Sequence, residues 1–527
     1  MNTQALSAYP FGAPDASSEA ASPAPFVILG GAPDEREAVS NAIGPDVRVV
    51  VGRMGAGKTR CLVELKRRLE DEGNCDLTPI DFDLPSLSDV TQLAEALALE
   101  PTQRAEIWRK IWKRAIVRAA LSQVLARAGP DRHEPLPDCL TSLPPDLVPS
   151  PGIPHSIYRD FAGILRDHQA IVDLRRFLDD REWEHVDYCF EQAFRQRTVP
   201  LCFFLDTGED ESSHAPRYWL WCQLGLVRQV LQFTHDGRLA DKLRIFVAIR
   251  DQTWAELSNA KPAMYEQHPK VRQLRWGPRS AARFLGRKIQ ELPDEYRLKA
   301  TTTDAPQSLV TAWLGTDVMA NGRRAGPEPL THYLLRHTRL IPRDIVSVGN
   351  LLSVEVLAAR GRDETEVPPH CIRNAVAESA RLSAREELQA CAIDVIGHQL
   401  AGVSSAAERR RIVPDEDASN RTSEAIKDLL AQFDGDVLPR EALDEVDAAA
   451  TDRFGPRVSL TDMLWRRGLI GWSADERGPF TFASAALPTP ARRRVGYVAI
   501  HPCLVEELGL DMAVDLPVMP FAESELP

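Results

Sequence analysis

The stretch VVVGRMGAGKTRCLVEL, residues 49–65, restricts the possible folds of this chain more than any other part of its sequence. Its run of β-branched valines predicts a buried strand, and the amphipathic run after the glycines predicts a helix. Between them, Gly52 to Thr59 matches the pattern GxxxxGK[ST] at every fixed position. Such a loop needs glycine where the backbone is crowded or φ is positive. The stretch therefore predicts a strand–loop–helix unit within an α/β fold.

The chemistry of this loop predicts a binding site for phosphate groups. Successive backbone N–H groups of a glycine-rich loop point inwards at an anion, and the N-terminus of the following helix adds partial positive charge. In this pattern the Lys58 ammonium binds the β- and γ-phosphates, and the Thr59 hydroxyl ligates Mg²⁺. The alternative is a glycine-rich turn with a coincidental lysine. We expect ATP and Mg²⁺ as cofactors, with the nucleotide held by Gly52, Arg53, Met54, Gly55, Ala56, Gly57, Lys58, Thr59 and Arg60.

Further apolar runs predict a parallel sheet around this loop. PLCFFLD and LRIFVAIRD are apolar runs that end in an acid or in Arg-Asp, as expected of central parallel strands that are covered on both faces. A long segment between the second and third strands has apolar residues four apart and predicts a helical insertion at about 100–195. Strands are predicted at 47–51, 77–82, 201–205 and 243–249.

The rest of the chain divides by composition and periodicity. An Ala-, Ser- and Pro-rich lead-in without periodicity predicts disorder at the start of the chain. Three short helical patterns followed by strand-like segments are typical of a winged helix. The predicted divisions are a disordered segment at 1–24, an α/β domain at 25–275, a helical domain at 276–400, the winged helix at 401–510 and an acidic tail at 511–527.

Composition limits the possible locations and partners of the protein. The net charge is −13, so nucleic acid would have to be bound by a local basic patch. The nine cysteines are scattered and form no CxxC pair, which predicts reduced thiols. No apolar run is long enough for a membrane span, and the first basic residue is Arg36, which argues against a signal peptide. We therefore expect a cytoplasmic protein without a membrane association.

An acidic residue is expected opposite the phosphate loop, at the end of a buried strand. In CFFLDTGEDESS, Asp206 follows such a strand and is placed to hold Mg²⁺ through water. Hydrolysis also needs a carboxylate that orients the attacking water. The residue after Asp206 is Thr207, so the candidates are Glu209 and then Asp210, with Glu211 a third. The alternative interpretation is a solvated acidic loop that follows a core strand.

The strand LRIFVAIR ends at a further candidate, Arg250, which is followed by Asp251. Two interpretations of Arg250 stay open. Its guanidinium contacts the γ-phosphate through a charge-assisted hydrogen bond, or it pairs with Asp251 or the acidic loop and stabilises the sheet.

Together with the segments LRWGPRSAARFLGRKI and LLRHTRLIPRDIVSVGNLL, these motifs resemble additional-strand ATPases of the AAA+-related and STAND type, and more distantly origin-recognition initiators. The resemblance covers about residues 25–500. It implies a P-loop NTPase sheet, an all-α lid, and an arginine presented to the nucleotide at the start of a lid helix. Arg343 matches that arginine, and Pro342 would begin its helix. The alternative is an ordinary ion pair of Arg343 with neighbouring acids.

The same resemblance gives roles to the acidic loop and marks two departures. In STAND-type ATPases a second acid follows the strand aspartate by three residues, which favours Glu209. Thr207 departs from the glutamate or glycine that is common at its position, and the helical insertion is unusually long. A nucleotide-binding scaffold without turnover is therefore a further hypothesis.

The favoured function is an ATP-driven switch or motor in which hydrolysis moves the winged helix. The resemblance implies a homo-oligomer or a partner protein bound through the insertion or the winged helix, and a role in regulation or in a defence system. The alternative is an ATP-regulated DNA-binding initiator or transcription regulator, in which Arg492, Arg493 and Arg494 contact DNA. From residue 401 onwards 14 basic residues stand against 22 acidic ones, which argues against strong DNA affinity.

Overall fold

The computed structural model describes residues 9–13, 46–82, 90, 101–127, 138–144, 147, 155–168, 170–207, 216–251, 253–255, 268–300, 303–320, 327–401, 416–476, 478–483 and 496–511. The chain forms two compact units. The sheet unit comprises residues 43–54 and 58–274, and the helical unit comprises residues 1–42, 55–57 and 275–527.

A five-stranded parallel sheet forms the centre of the sheet unit, in the order β2-β3-β4-β1-β5. The four strands predicted from the sequence are confirmed to within about two residues at each end, the usual uncertainty of element boundaries. The fifth is a short strand that the sequence did not reveal. The strands are β1 (Val49–Gly52), β2 (Asp76–Asp81), β3 (Leu201–Asp206), β4 (Leu243–Arg250) and β5 (Val271–Gln273).

The order of these strands confirms the predicted α/β class. Strand β4 lies between β1 and β3, with Gly52 paired to Arg250 and Asp206 paired to Ala248. This additional strand between the loop strand and the aspartate strand is the arrangement that the resemblance implies. Because parallel strands end at one edge of a sheet, the loop after β1 and Asp206 lie at the same edge.

Helices cover the sheet, and several of them lie in the predicted insertion between β2 and β3. The helices that carry Gly225 and Trp108 pack closely against each other. A Cβ added at Gly225 would lie only 2.7 Å from the Trp108 Cβ atom. Nearby, the Trp112 Nε1 atom donates a hydrogen bond of 2.8 Å to the carbonyl of Cys222. The helices of this unit are α1 (Lys58–Glu72), α2 (Pro101–Arg127), α3 (Ile157–Asp167), α4 (Ile171–Leu178), α5 (Glu182–Gln196) and α6 (Pro216–His235), with a 3₁₀ turn at Asp138–Ser142.

The first part of the helical unit is a bundle with its own buried core. Its helices are α7 (Pro278–Glu291), α8 (Pro306–Leu314), α9 (Leu330–Arg336), α10 (Pro342–Gly361) and α11 (Pro369–Ala401), with a 3₁₀ turn at Asp294–Tyr296. A two-stranded antiparallel pair, β6 (Val318–Ala320) and β7 (Pro327–Pro329), interrupts the helices. The sequence predicted only helix here, because strands this short carry no recognisable alternation.

The described residues of the C-terminal part form four helices and a four-stranded antiparallel sheet of order β10-β9-β11-β8. The three helices and the later strands that the sequence predicted are present in that order, but the structure adds a short strand after the first helix and a fourth helix after the last strand. The identification of this part as a winged helix stays a prediction. In chain order the elements are α12 (Glu416–Leu430), β8 (Val437–Pro439), α13 (Arg440–Phe454), α14 (Leu460–Arg466), β9 (Ile470–Ser473), β10 (Thr481–Phe482), β11 (Tyr497–Ile500) and α15 (Pro502–Leu508).

Helix α11 joins the two parts of the helical unit. Ile372 and Val376 near its start belong to the core of the bundle, whereas Leu388 and Val395 near its end belong to the C-terminal core. One continuous helix of 33 residues therefore connects both cores. Among the helices that the structure describes, none is long and apolar enough to span a membrane.

Candidate nucleotide-binding site

The loop between β1 and α1 has the backbone that its glycines predict. Strand β1 ends at Gly52, and α1 begins at Lys58. Gly55 has φ of +74° and Gly57 has φ of +92°. Residues with a side chain rarely adopt this left-handed region, so both glycines are required by the shape of the loop. Apart from Gly57 and its two chain neighbours, no described residue has an atom within 4 Å of the position that a Cβ at Gly57 would take.

The Lys58 side chain contacts the backbone at the start of this loop. Its side chain is buried, with 4% of the residue exposed, and its Nζ atom donates a hydrogen bond of 3.0 Å to the carbonyl of Arg53. A buried ammonium needs negatively polarised partners, because transfer out of water penalises the charge. The first residue of α1 thus brings a positive charge to the loop, beside the N-terminal end of the helix.

Thr59 and Asp206 meet at the edge of the sheet. The Thr59 Oγ1 atom donates a hydrogen bond of 2.5 Å to the Asp206 Oδ2 atom, although 147 positions separate the two residues. Asp206 is buried at the end of β3. A hydroxyl and a carboxylate oxygen in contact are ligands that Mg²⁺ accepts, and Mg²⁺ needs few protein ligands because it retains water and binds phosphate oxygens. Within the described residues no cluster of three or more His, Cys, Asp or Glu side chains forms another metal site.

Thr207 has a structural role that its sequence position did not reveal. It is buried, and its Oγ1 atom donates a hydrogen bond of 2.8 Å to the carbonyl of Ala248 on β4. Its side chain therefore joins β3 to β4. The predicted water-orienting carboxylates, Glu209 and Asp210, lie outside the described residues, as does Glu211.

Tyr158 of α3 supports Asp206 from the segment predicted as an insertion. Its hydroxyl donates a hydrogen bond of 3.0 Å to the carbonyl of Asp206, and its backbone N–H donates one of 3.1 Å to the Asp81 Oδ2 atom. Burial, together with the negative charges of Asp81 and Asp206, raises the pKa of the Tyr158 phenol well above its usual value. The phenol therefore stays protonated and keeps donating. No local sequence pattern pointed to Tyr158.

Two arginines of the sequence prediction lie at the ends of β1 and β4. Arg53 forms an ion pair with Asp251, with 3.6 Å between Nε and Oδ2. Arg250 is the last residue of β4 and pairs in register with Gly52, the first residue of the loop pattern. This register places Arg250 at the loop edge of the sheet, and its contact with phosphate stays a prediction. Met54 and Arg60 are both half-buried.

Arg343 lies at the start of α10, as the resemblance implied. Pro342 is in the first turn, and the backbone N–H of Arg343 donates a hydrogen bond of 3.3 Å to the carbonyl of Gly55 within the helical unit. An added Cβ at Gly55 would lie 2.8 Å from the Arg343 Cβ atom, so this approach also requires glycine. The Arg343 guanidinium lies 3.9 Å from the Glu386 carboxylate of α11, which agrees with the ion-pair interpretation.

Trp276 makes a second contact that the sequence did not predict. Its Nε1 atom donates a hydrogen bond of 3.0 Å to the carbonyl of Ala56. Trp276 and Arg343 thus bind two neighbouring carbonyl groups of the loop segment 55–57, and both belong to the helical unit.

A buried ion cluster holds the first turn of α10. Arg339 donates hydrogen bonds to the Asp344 carboxylate from its backbone N–H, Nε and Nη2 groups, at 2.9, 2.8 and 2.7 Å. Burial opposes ionisation of Asp344, but the charge and hydrogen bonds of Arg339 outweigh it and lower the pKa of this carboxyl. Arg339 also pairs with Glu387 of α11, and Glu387 pairs with Arg467 after α14. The cluster therefore connects the turn that carries Arg343 with the C-terminal part of the unit.

Comparisons with known proteins leave the family of this chain open. No protein-family model and no curated protein matches its sequence. Among solved structures, the ORC2 protein of Aeropyrum pernix in ADPNP–ADP complexes is 14% identical over 81% of this chain and 97% of that chain, with a TM-score of 0.30. Its ADP form is 13% identical over 80% and 91%, with a TM-score of 0.27. The five-stranded parallel sheet by itself defines the α/β fold class of this chain.

Proposed function

We propose that this chain binds Mg²⁺–ATP in the loop Gly52–Thr59 and hydrolyses it. The observation that carries the proposal is the contact between the Thr59 hydroxyl and the Asp206 carboxylate. In a phosphate loop followed by Lys-Thr, these are the two oxygen atoms that hold the magnesium ion. A coincidental glycine-rich turn would give no reason for a buried acid from β3 to meet the threonine.

Each loop residue has a role that follows from its position. The backbone N–H groups around Gly55 and Gly57 bind phosphate oxygens, and Lys58 neutralises the β- and γ-phosphates. Thr59 and Asp206 hold Mg²⁺, which when bound neutralises charge on the phosphate oxygens. Arg250 binds the γ-phosphate from the end of β4. Glu209, with Asp210 as the alternative, orients the attacking water.

We further propose that the nucleotide state is transmitted through α10. The loop carbonyls of Gly55 and Ala56 bind Arg343 and Trp276, so a phosphate that reorients the loop changes these hydrogen bonds. The cluster of Arg339 and Glu387 links the same turn to α11, which continues into the C-terminal core. In this proposal Arg343 exchanges its partner Glu386 for the nucleotide.

The family resemblance extends this proposal to a switch or motor of the AAA+-related or STAND type. It suggests a cytoplasmic protein that acts as a homo-oligomer or with a partner protein, bound through the helical insertion or the C-terminal module. A regulatory or defence-system role rests on the same resemblance.

No contact in the described residues favours the alternative of a DNA-binding initiator. Arg467, one of two arginines at the end of the third helix of the C-terminal module, is engaged with Glu387 at 2.9 Å and with Asp394 at 2.6 Å. Its charge is thereby neutralised by acids of α11. The basic run Arg492, Arg493 and Arg494 lies outside the described residues, so DNA contact there stays a prediction.

Calorimetric titration of Mg²⁺–ATP into Lys58→Ala tests nucleotide binding. A charge-assisted hydrogen bond contributes about 1.5–3 kcal/mol, so removal of the ammonium should weaken binding by at least tenfold. Lys66→Ala is the matched control, because Lys66 lies on the outer part of α1 and pairs with Glu70. Equal affinities of Lys58→Ala and the wild type would remove the basis of the proposal.

Phosphate release separates turnover from binding alone. We expect the wild-type protein to release phosphate steadily. The Glu209→Gln variant should bind ATP but release no phosphate. A wild type that binds ATP but releases no phosphate would instead support the scaffold hypothesis that Thr207 suggests.

A further inference from the structure

A short segment near the start of the chain forms a turn of its own. The backbone N–H of Gly12 donates a hydrogen bond of 2.9 Å to the carbonyl of Tyr9, which closes a β-turn over Tyr9, Pro10, Phe11 and Gly12. Pro10 occupies the second position of the turn, where its fixed φ is favourable. Gly12 has φ of +100°, which favours glycine. The sequence YPFG thus contains local determinants of the turn.

One side chain of this turn is buried in the helical unit. Phe11 is 1% exposed, whereas Tyr9 is 55% exposed. The Phe11 ring packs against Trp313 of α8, with 4.9 Å between the ring centroids. It also lies against the backbone of Gly349 in α10, where an added Cβ would be 2.3 Å from the Phe11 Cδ1 atom. Glycine is unfavourable inside a helix. The Phe11 ring occupies the space that a side chain at position 349 would need, which explains why glycine is present there.

The neighbouring residue Asn350 binds the backbone of the same turn. Its Oδ1 atom accepts a hydrogen bond of 2.9 Å from the N–H of Phe11, and its Nδ2 atom donates one of 3.0 Å to the carbonyl of Gly12. A side-chain amide that uses both its donor and its acceptor on the backbone of two adjacent residues fixes the direction of the bound chain. An aromatic anchor together with main-chain hydrogen bonds is how proteins bind short peptides.

We propose that Trp313, Gly349 and Asn350 form a peptide-binding site whose ligand is an aromatic–glycine turn, here the chain's own residues 9–13. The turn acts as an intramolecular ligand that returns the start of the chain to α10, the helix that begins with Pro342 and Arg343. Covalent connection gives such a ligand a high effective concentration, so it excludes a free peptide of equal sequence. This inference is independent of nucleotide binding.

The substitution Gly349→Ala tests whether Phe11 occupies the site in solution. In the wild-type background the new methyl group collides with the ring, so the melting temperature of the full chain should fall. In a Phe11→Ala background the collision is gone and alanine favours the helix, so the same substitution should raise the melting temperature or leave it unchanged. A fall of equal size in both backgrounds would overturn the proposal.

A synthetic peptide of residues 7–15, SAYPFGAPD, tests whether the site binds the turn as a separate ligand. At millimolar concentration it should raise the melting temperature of Phe11→Ala in a dose-dependent manner, because a ligand of the folded state stabilises it. The same peptide with alanine in place of phenylalanine should have no effect, and neither should the cognate peptide on the Phe11→Ala/Gly349→Ala variant. The wild type should not respond, because its own segment fills the site.

Two results would overturn the idea of a separable ligand. One is a Phe11→Ala variant that melts cooperatively but whose melting temperature does not change with the peptide. The other is an equal rise in its melting temperature with the cognate peptide and with the alanine peptide. Should Phe11→Ala not fold, Asn350→Ala takes its place. This variant retains Phe11 but loses both hydrogen bonds to the turn, and it should melt below the wild type. A melting temperature equal to that of the wild type would contradict the proposal.

Discussion

The buried pair of Arg339 and Asp344 gives the most specific prediction about stability. Arg339→Met removes the guanidinium but retains much of the side-chain volume. It leaves Asp344 buried without its cation, whereas Glu387 retains Arg467. Breaking a buried ion pair from one side costs about 3–5 kcal/mol, because the remaining charge is uncompensated. At roughly 2–4 °C per kcal/mol for a unit of this size, the melting temperature should fall by about 6–20 °C.

An exposed arginine provides the matched control for this variant. Arg362 pairs with Glu364, and 49% of the Arg362 side chain is exposed. Exposed ion pairs contribute little, so Arg362→Met should melt within about 2 °C of the wild type. Differential scanning calorimetry of the three proteins at neutral pH measures both effects.

The dependence on pH distinguishes an uncompensated charge from lost packing. In the wild type the pKa of Asp344 is lowered, so its stabilising contribution is present above the unfolded-state pKa and disappears as the pH falls through the folded-state pKa. In Arg339→Met burial without a cation raises that pKa, so acid neutralises Asp344 and removes the penalty. The difference in melting temperature should therefore shrink from pH 7 towards pH 4. An Arg339→Met variant as stable as Arg362→Met, or a difference that is constant with pH, would refute this reasoning.

Two further predictions concern the residues around Asp206. Tyr158→Phe removes the hydroxyl that binds the Asp206 carbonyl and leaves the volume unchanged, so affinity for Mg²⁺–ATP should fall several-fold in a calorimetric titration, with unchanged affinity as the contrary result. Thr207→Val removes the hydrogen bond between β3 and β4 at a buried site, so it should cost about 1–3 kcal/mol of stability in urea unfolding. ATP affinity of Thr207→Val should stay at the wild-type value, and a large loss would show that Thr207 serves the nucleotide directly.

The sequence alone predicted the parts of the site that depend on local patterns. Glycines, lysine and threonine at fixed spacing define the loop, and a buried apolar run that ends in an acid located Asp206. Both predictions follow from backbone geometry within a few residues. The contact of Thr59 with Asp206 could be expected as well, because parallel strands bring their carboxyl ends to one edge.

The supporting contacts could not be predicted because they join residues that are distant in sequence. Tyr158 reaches Asp206 across 48 positions, and Asn350 reaches Phe11 across 339. No periodicity or spacing marks Tyr158 or Asn350, since a buried tyrosine or asparagine fits many environments. Strand β5 was missed for another reason: three residues are too few to establish a pattern.

The magnesium dependence of ATP binding by Asp206→Asn tests the central claim most directly. The account predicts that excess chelator weakens ATP binding by the wild type by about tenfold or more, equivalent to ~1.4 kcal/mol, because Thr59 and Asp206 then lose the ion between them and the phosphates. Asp206→Asn should bind ATP equally weakly with and without Mg²⁺, whereas the control Asp251→Asn should retain the wild-type dependence. An Asp206→Asn variant that binds Mg²⁺–ATP as tightly as the wild type would contradict the account.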